Sequence, residues 1–227
     1  SCLLRLAAQP VNDDCAGIID LGTAPICPSP AIYSNVQATE SNIGNDNFPG
    51  CFNGLPQRDV WFQFTATAAI LDYKITVTGI PQGSDPAMKM PQVAIYRGDC
   101  VFDGLEFYAC AASQVDESQV SLVVQGLTPG LPYFLRINDW SASAAENWGA
   151  FTLCIEEFVD VTYTIDEGSS SDCEGVLYDT GGENGNYGDN ENHVFTICPD
   201  QSANGGCIVF NLLDYHFEQG WEQLLFY

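Results

Sequence analysis

The stretch DVWFQFTAT at Asp59–Thr67 decides the architecture. It is a mostly apolar, aromatic, β-rich run, the pattern of a strand that buries its side chains. Working outward, QVAIYRGDC at Gln92–Cys100, LTPGLPYFLRI at Leu127–Ile137 and GAFTLCI at Gly149–Ile155 repeat the pattern, and NDDCAG at Asn12–Gly17 opens the series. Between them Tyr73, Ile75 and Val77 alternate with Lys74, Thr76 and Thr78, the period of a half-buried strand. Val120–Val124 reads as a further strand, and Thr128, Pro129 and Gly130 as a turn. Residues 12–158 contain no convincing helical pattern. Many short strands split by Gly, Pro and Asp turns predict an all-β fold, a disulfide-stapled antiparallel β-sandwich of jelly-roll type.

The chain has 227 residues, 46% hydrophobic and 12% aromatic, enough for real cores despite a net charge of −24. Arg136 is the last basic residue. A surface this acidic excludes nucleic-acid binding, which needs basic clusters, and does not favour anionic membranes. It suits divalent cations or basic partners, and equally a solvated, self-repelling surface. No apolar run approaches the roughly 18 residues of a membrane span.

Ten cysteines occur, none in a C-x-x-C pair, so zinc ribbons and thioredoxin chemistry are disfavoured. An even number, spread among strand-like runs, reads as disulfides formed outside the cytosol. Cys100–Cys110 is the expected bridge across a short hairpin-like loop. Cys27–Cys51 would tie down the polar loop at 28–58, and Cys15–Cys154 would join the first and last strands. Cys2 and Cys207 are left to pair together or elsewhere. Geometry rather than spacing decides such pairings.

Three sets of residues are candidates for binding. Asp13 and Asp14 could give two of the six to eight oxygens that calcium takes, or form an acidic turn entering a strand. Glu218 and Glu222 are a second acidic pair. Trp140 and Trp148, in the loop at 138–148, could stack on a sugar or cover the open edge of the sandwich. Catalysis finds little support. The only histidines are His193 and His216, and no G-x-S-x-G, H-E-x-x-H or P-loop pattern is present. The chain is read as a non-enzyme.

Residues 12–158, through the five segments quoted above, resemble the pre-peptidase C-terminal-like sandwich modules of very large secreted proteins of Bacteroidota. That resemblance implies tandem modules in gliding-motility adhesins, or modules beside hydrolases exported by the type IX system. Residues 1–11 read as a lead-in, and Ser1-Cys2-Leu3-Leu4 is similar to Leu153–Glu156. It is either the last strand of a preceding module or an ordinary N-terminal strand.

Residues 159–227 are similar to a CUB domain. The resemblance is carried by Cys173, Gly181, Gly182, Asn186, Tyr187, Cys198 and the run Leu213–Tyr227. It implies a Cys173–Cys198 bridge and a calcium site using Glu218. Glu222 stands where that pattern has Asp, and the strands expected after Tyr227 are absent, so the chain is expected to be one slice of a longer protein.

The function expected is adhesion or spacing, in a non-catalytic segment of a multi-domain cell-surface protein stabilised by calcium. Its partners would be neighbouring modules and surface polysaccharide or protein. The alternatives are an accessory substrate-binding module of a secreted hydrolase, or an extracellular filament subunit completed by strand exchange.

Overall fold

Residues that alternate in sequence alternate in space. In the computed structural model, strand β4 (Tyr73–Gly79) turns Tyr73, Ile75 and Val77 into a buried core, while Lys74, Thr76 and Thr78 face out. The structure describes residues 9–27, 31–44, 47–114, 117–140, 147–172, 175–197 and 223–226. The chain divides into two compact units, Ser1–Val159 and Asp160–Tyr227.

The described residues of the first unit form an all-β sandwich. Its other strands are β1 (Ile19–Thr23), β2 (Tyr33–Ser34), β3 (Val60–Thr65), β5 (Pro91–Gly98), β6 (Leu105–Ala112), β7 (Gln119–Val124), β8 (Pro132–Asp139) and β9 (Ala150–Glu157). One sheet runs β1-β3-β8-β5-β6 and the other β2-β9-β4-β7. Pairing is antiparallel except for β1 with β3. The core between the sheets takes Phe62, Phe64, Val93, Ile95, Leu135 and Ile137 from one layer. The other layer supplies Tyr73, Ile75, Leu122, Phe151, Leu153 and Ile155. Each such side chain contributes about 1.5–3 kcal/mol on burial.

The five-stranded sheet is buried on its second face too. Trp61, Ala94, Tyr96 and Phe134 point away from the main core and pack under Cys15, Ile43, Phe52 and Leu105. This explains why β5 and β8 are nearly continuous apolar runs rather than alternating ones: both faces are covered. Ile43 and Phe52, from the polar stretch read from sequence as a loop needing a tether, supply part of this cover. The sequence pattern also missed β1 and β6. β1 contains Gly22 and has only half-buried and exposed positions, and β6 is half-buried along most of its length, so neither shows a strong period.

The six described cysteines form three disulfides, with partners other than those expected. The bridges are Cys15–Cys100, Cys27–Cys154 and Cys51–Cys110. Cys100 lies in the turn after β5, whereas Cys110 pairs with Ala94 well up the hairpin. At about 3.3 Å per strand residue they are beyond the roughly 7 Å limit for a bridge. Cys27–Cys51 and Cys15–Cys154 fail for a different reason. Cys15 and Cys110, with its partner Cys51, belong to the outer face of the five-stranded sheet. Cys154 points outward from the opposite layer, between the core residues Leu153 and Ile155, and holds Cys27 there. Neither expected pair can meet through the sandwich.

In the second unit the described elements are β10 (Thr162–Thr164), a 3-10 turn (Ile165–Glu167), β11 (Ser169–Ser170), β12 (Val176–Tyr178) and β13 (Thr196–Ile197). β10 pairs with β12 and β11 with β13, both parallel. Cys2, Cys173, Cys198, Cys207, Glu218 and Glu222 lie outside the described residues.

Candidate functional site

The outer face of the five-stranded sheet concentrates the chemistry of the first unit. Arg136 leaves β8 on that face and is fully buried, with Asp59 fully buried beside it. Its Nε donates to Asp59 Oδ2 at 2.8 Å. Its Nη1 donates to the Asn47 carbonyl at 2.7 Å and its Nη2 to the Ser41 carbonyl at 2.8 Å. The guanidinium lies over the Trp61 ring, 5.4 Å from a ring centroid. The Trp61 indole N–H donates to Asp59 Oδ2 at 2.9 Å and to Ser41 Oγ at 2.8 Å, while the Ser41 N–H donates to Asp59 Oδ1 at 2.9 Å.

Every charged atom in this cluster has a partner, as buried charge requires. Burial pushes the Asp59 carboxyl above its ordinary 3.8, against the opposing pull of Arg136 and Ser41. The arrangement locks Ser41 and Asn47 onto the sheet. It offers no exposed atom to a ligand.

Asp13 serves the same lock. It is buried, and its carboxylate accepts the Thr39 N–H on Oδ1 and the Thr39 hydroxyl on Oδ2, the latter at 2.8 Å. Neighbouring Asn12 donates through Nδ2 to the Trp61 carbonyl at 2.9 Å. Asp14 instead is exposed and lines a shallow pocket with Cys15, Ser41, Ile43, Cys100 and Phe102. The Asp13 carboxylate is thus engaged by Thr39, and of the two acids Asp14 is the one that faces solvent.

Trp140 and Trp148 are both half-buried. Trp140 lies so close to Gly54 that a Cβ there would overlap its ring. Trp140 is thus packed against the backbone of Gly54. Beneath this region Asp139 is buried, and its carboxylate accepts the Met90 N–H at 2.6 Å and the Lys89 N–H. Burial raises its pKa above 3.8, opposed by those N–H groups.

Cys27, Cys154 and Glu156 bring potential metal-ligand atoms within 4.8 Å of one another. Both sulfurs are spent in the disulfide, so the group offers a metal one carboxylate and no thiolate. In the second unit His193 Nε2 lies 3.6 Å from Glu191 Oε2. The Thr180 hydroxyl and Gly188 N–H hold the Glu191 carboxyl below its usual range. His216 lies outside the described residues.

Sequence reasoning missed Asp59, Arg136 and Ser41. The signal was present: an arginine inside the apolar run YFLRI, and an acid at the mouth of another strand.

No family model matches the chain, and no curated protein matches it. Among solved structures, the chain is similar to CorA, described as a surface-associated copper-binding protein important in Methylomicrobium album BG8 copper acquisition. That likeness has 8% identity and a TM-score of 0.39, and covers 62% of this chain and 98% of that one. It is too distant to carry an argument about this chain.

Proposed function

We propose that this chain is a non-catalytic segment of a secreted, multi-domain cell-surface protein, acting as an adhesive or spacing module. The observation that carries the reading is the stapling of the first unit. Three disulfides join segments 59, 85 and 127 residues apart, and a buried ion pair clamps the long loop between them. Bridges of this kind belong to oxidising compartments, and they stiffen a fold by removing freedom from its unfolded state. The excess of acidic groups keeps copies of such a module apart in solution.

The resemblance of residues 12–158 to pre-peptidase C-terminal-like modules supports tandem use. Weak contacts multiplied by repetition give adhesion without a deep pocket. Calcium enters this reading through Glu218 and Glu222 in the CUB-like segment rather than through Asp13.

The test is antibody labelling of intact producing cells, raised against the first unit, together with attachment of beads coated with the chain to surface polysaccharide. Labelling of intact cells and bead attachment are the expected results. Labelling that appears only after lysis would remove the surface role. Turnover of a polysaccharide or protein substrate by the purified chain would replace the module reading with an enzymatic one.

A further inference from the structure

We propose that the Cys27–Cys154 bridge is a covalent force shunt. It routes tension around the sandwich, so that strands β3 to β8 and their loops keep their shape while the chain is pulled. The inference deepens the spacer side of the proposed function and rests on that reading only for the source of the load.

Chain connectivity sets the path of the load. Ile26 and Ile155 form an antiparallel bridge, Ile26 N–H donating to the Ile155 carbonyl at 2.6 Å and Ile155 N–H to the Ile26 carbonyl at 2.9 Å. That register sets Cys27 directly opposite Cys154, with Cα atoms 4.5 Å apart. Tension entering before Cys15 and leaving after Cys154 then follows the shortest covalent route, from Cys15 to Cys27 and across the sulfurs to Cys154. Of the strands, only β1 and the end of β9 lie on that route. Residues 28–153 hang from it as an unloaded loop, and they include the Asp59–Arg136 lock and Trp140 and Trp148.

The other two bridges close longer routes, stay slack while the first holds, and take load only in turn. With Cys27–Cys154 open, the shortest route crosses Cys15–Cys100 and runs on along the backbone from Cys100 to Cys154. With that bridge open as well, it runs from Cys15 to Cys51, crosses Cys51–Cys110 and continues from Cys110 to Cys154. With all three open it is the whole backbone between Cys15 and Cys154. At about 3.5 Å per extended residue, the three openings lengthen the chain in steps of about 150 Å, about 90 Å and about 210 Å, in that order.

Each opening is a thiol–disulfide exchange. A dithiothreitol thiolate attacks one cysteine sulfur and expels the other as a thiolate. The second dithiothreitol thiol then closes on the mixed disulfide, leaving two protein thiols and one cyclic disulfide.

The experiment uses the full chain with azide-bearing residues encoded at Gln9 and Val159 as attachment points, held in optical tweezers. Cys2→Ser is included so that no bridge joins the segment before Gln9 to the rest. In oxidising buffer the taut length between the handles should not exceed that of residues 9–27 and 154–159, about 80 Å. Dithiothreitol added under tension should then give the three steps in the order and sizes stated. A release as long as the first step without reductant, or steps in another order or of other sizes, would overturn the proposal. Surface display plays no part in this readout, so its failure and that of the adhesive reading are separable. The variant Cys27→Ser/Cys154→Ser gives a second reading. Its taut length in oxidising buffer should exceed that of the parent by about 150 Å, and equal lengths would refute the shunt.

Discussion

Replacing Arg136 with Met removes the guanidinium while keeping a stem of similar reach. The apolar contact with Trp61 largely survives, and the loss is polar. Asp59 keeps the Trp61 and Ser41 N–H donors but loses its only buried cation, and the carbonyls of Ser41 and Asn47 lose theirs. Breaking a buried pair from one side costs about 3–5 kcal/mol, a large share of the roughly 5–15 kcal/mol that holds a domain together. The Cys15–Cys100 and Cys51–Cys110 bridges still tether the loop, so the expected damage is local opening around Ser41, Ile43 and Asn47.

Native-state hydrogen exchange reads that opening directly. The amides of Ser41, bonded to Asp59, and of Ile43, bonded to Asn47, should lose protection by about a thousandfold, the equivalent of about 4 kcal/mol. Core amides in β4 should change less. The double variant Arg136→Met/Asp59→Leu removes the stranded charge and should cost clearly less than the two single changes added together. Protection at Ser41 and Ile43 within tenfold of the parent, or strict additivity in the cycle, would refute the reading of the lock.

Asp59 and Asp139 both have folded pKa values raised by burial, so the folded chain binds their protons more tightly than the unfolded chain. The stability tied to Asp139 is complete below its ordinary 3.8 and is lost as pH rises through its higher folded value. In urea titrations between about pH 4 and pH 6, the advantage of the parent over Asp139→Asn should shrink as pH rises; an advantage that grows would contradict the assignment. Peptide mapping without reduction should recover Cys15–Cys100, Cys27–Cys154 and Cys51–Cys110, and a Cys15–Cys154 or Cys27–Cys51 peptide would disprove the face assignment. Gly54→Ala should cost about 1–3 kcal/mol by forcing Trp140 off its seat, with a shift in indole fluorescence; unchanged stability and emission would mean the contact is slack. The calcium reading requires a melting temperature several degrees higher in calcium than in chelator, and equal temperatures would remove the ion.

The strands were legible wherever one face meets the core and the other meets water. β4, β7 and β9 fall into this group, and their alternation is a direct record of burial. β3, β5 and β8 were legible as strands from their apolar runs. What those runs also recorded, a second covered face, could not be read without knowing that Ile43 and Phe52 pack over Trp61 and Tyr96. The same gap misdirected the disulfides. Cysteines were matched by closeness in sequence and by the order of strands, whereas the sandwich sorts them by the face they occupy and, on one face, by their position along the strands. Asp13 illustrates the limit for binding sites. An acid beside a cysteine looks the same on paper whether it awaits a cation or holds a threonine 26 residues away.

The three bridges share an order along the chain that bears on how the protein matures. Cys15, Cys27 and Cys51 all precede Cys100, Cys110 and Cys154, and each bridge takes one member from each group. A chain entering an oxidising compartment from its N-terminus therefore exposes three thiols before any native mate arrives. Among these six cysteines, every disulfide formed in that interval is a wrong one. Correct maturation demands either that oxidation wait for Cys100 or that an isomerase reshuffle early pairs, a process of seconds to hours. Recombinant production should accordingly favour reduced synthesis followed by oxidation in a glutathione buffer over direct secretion without an isomerase.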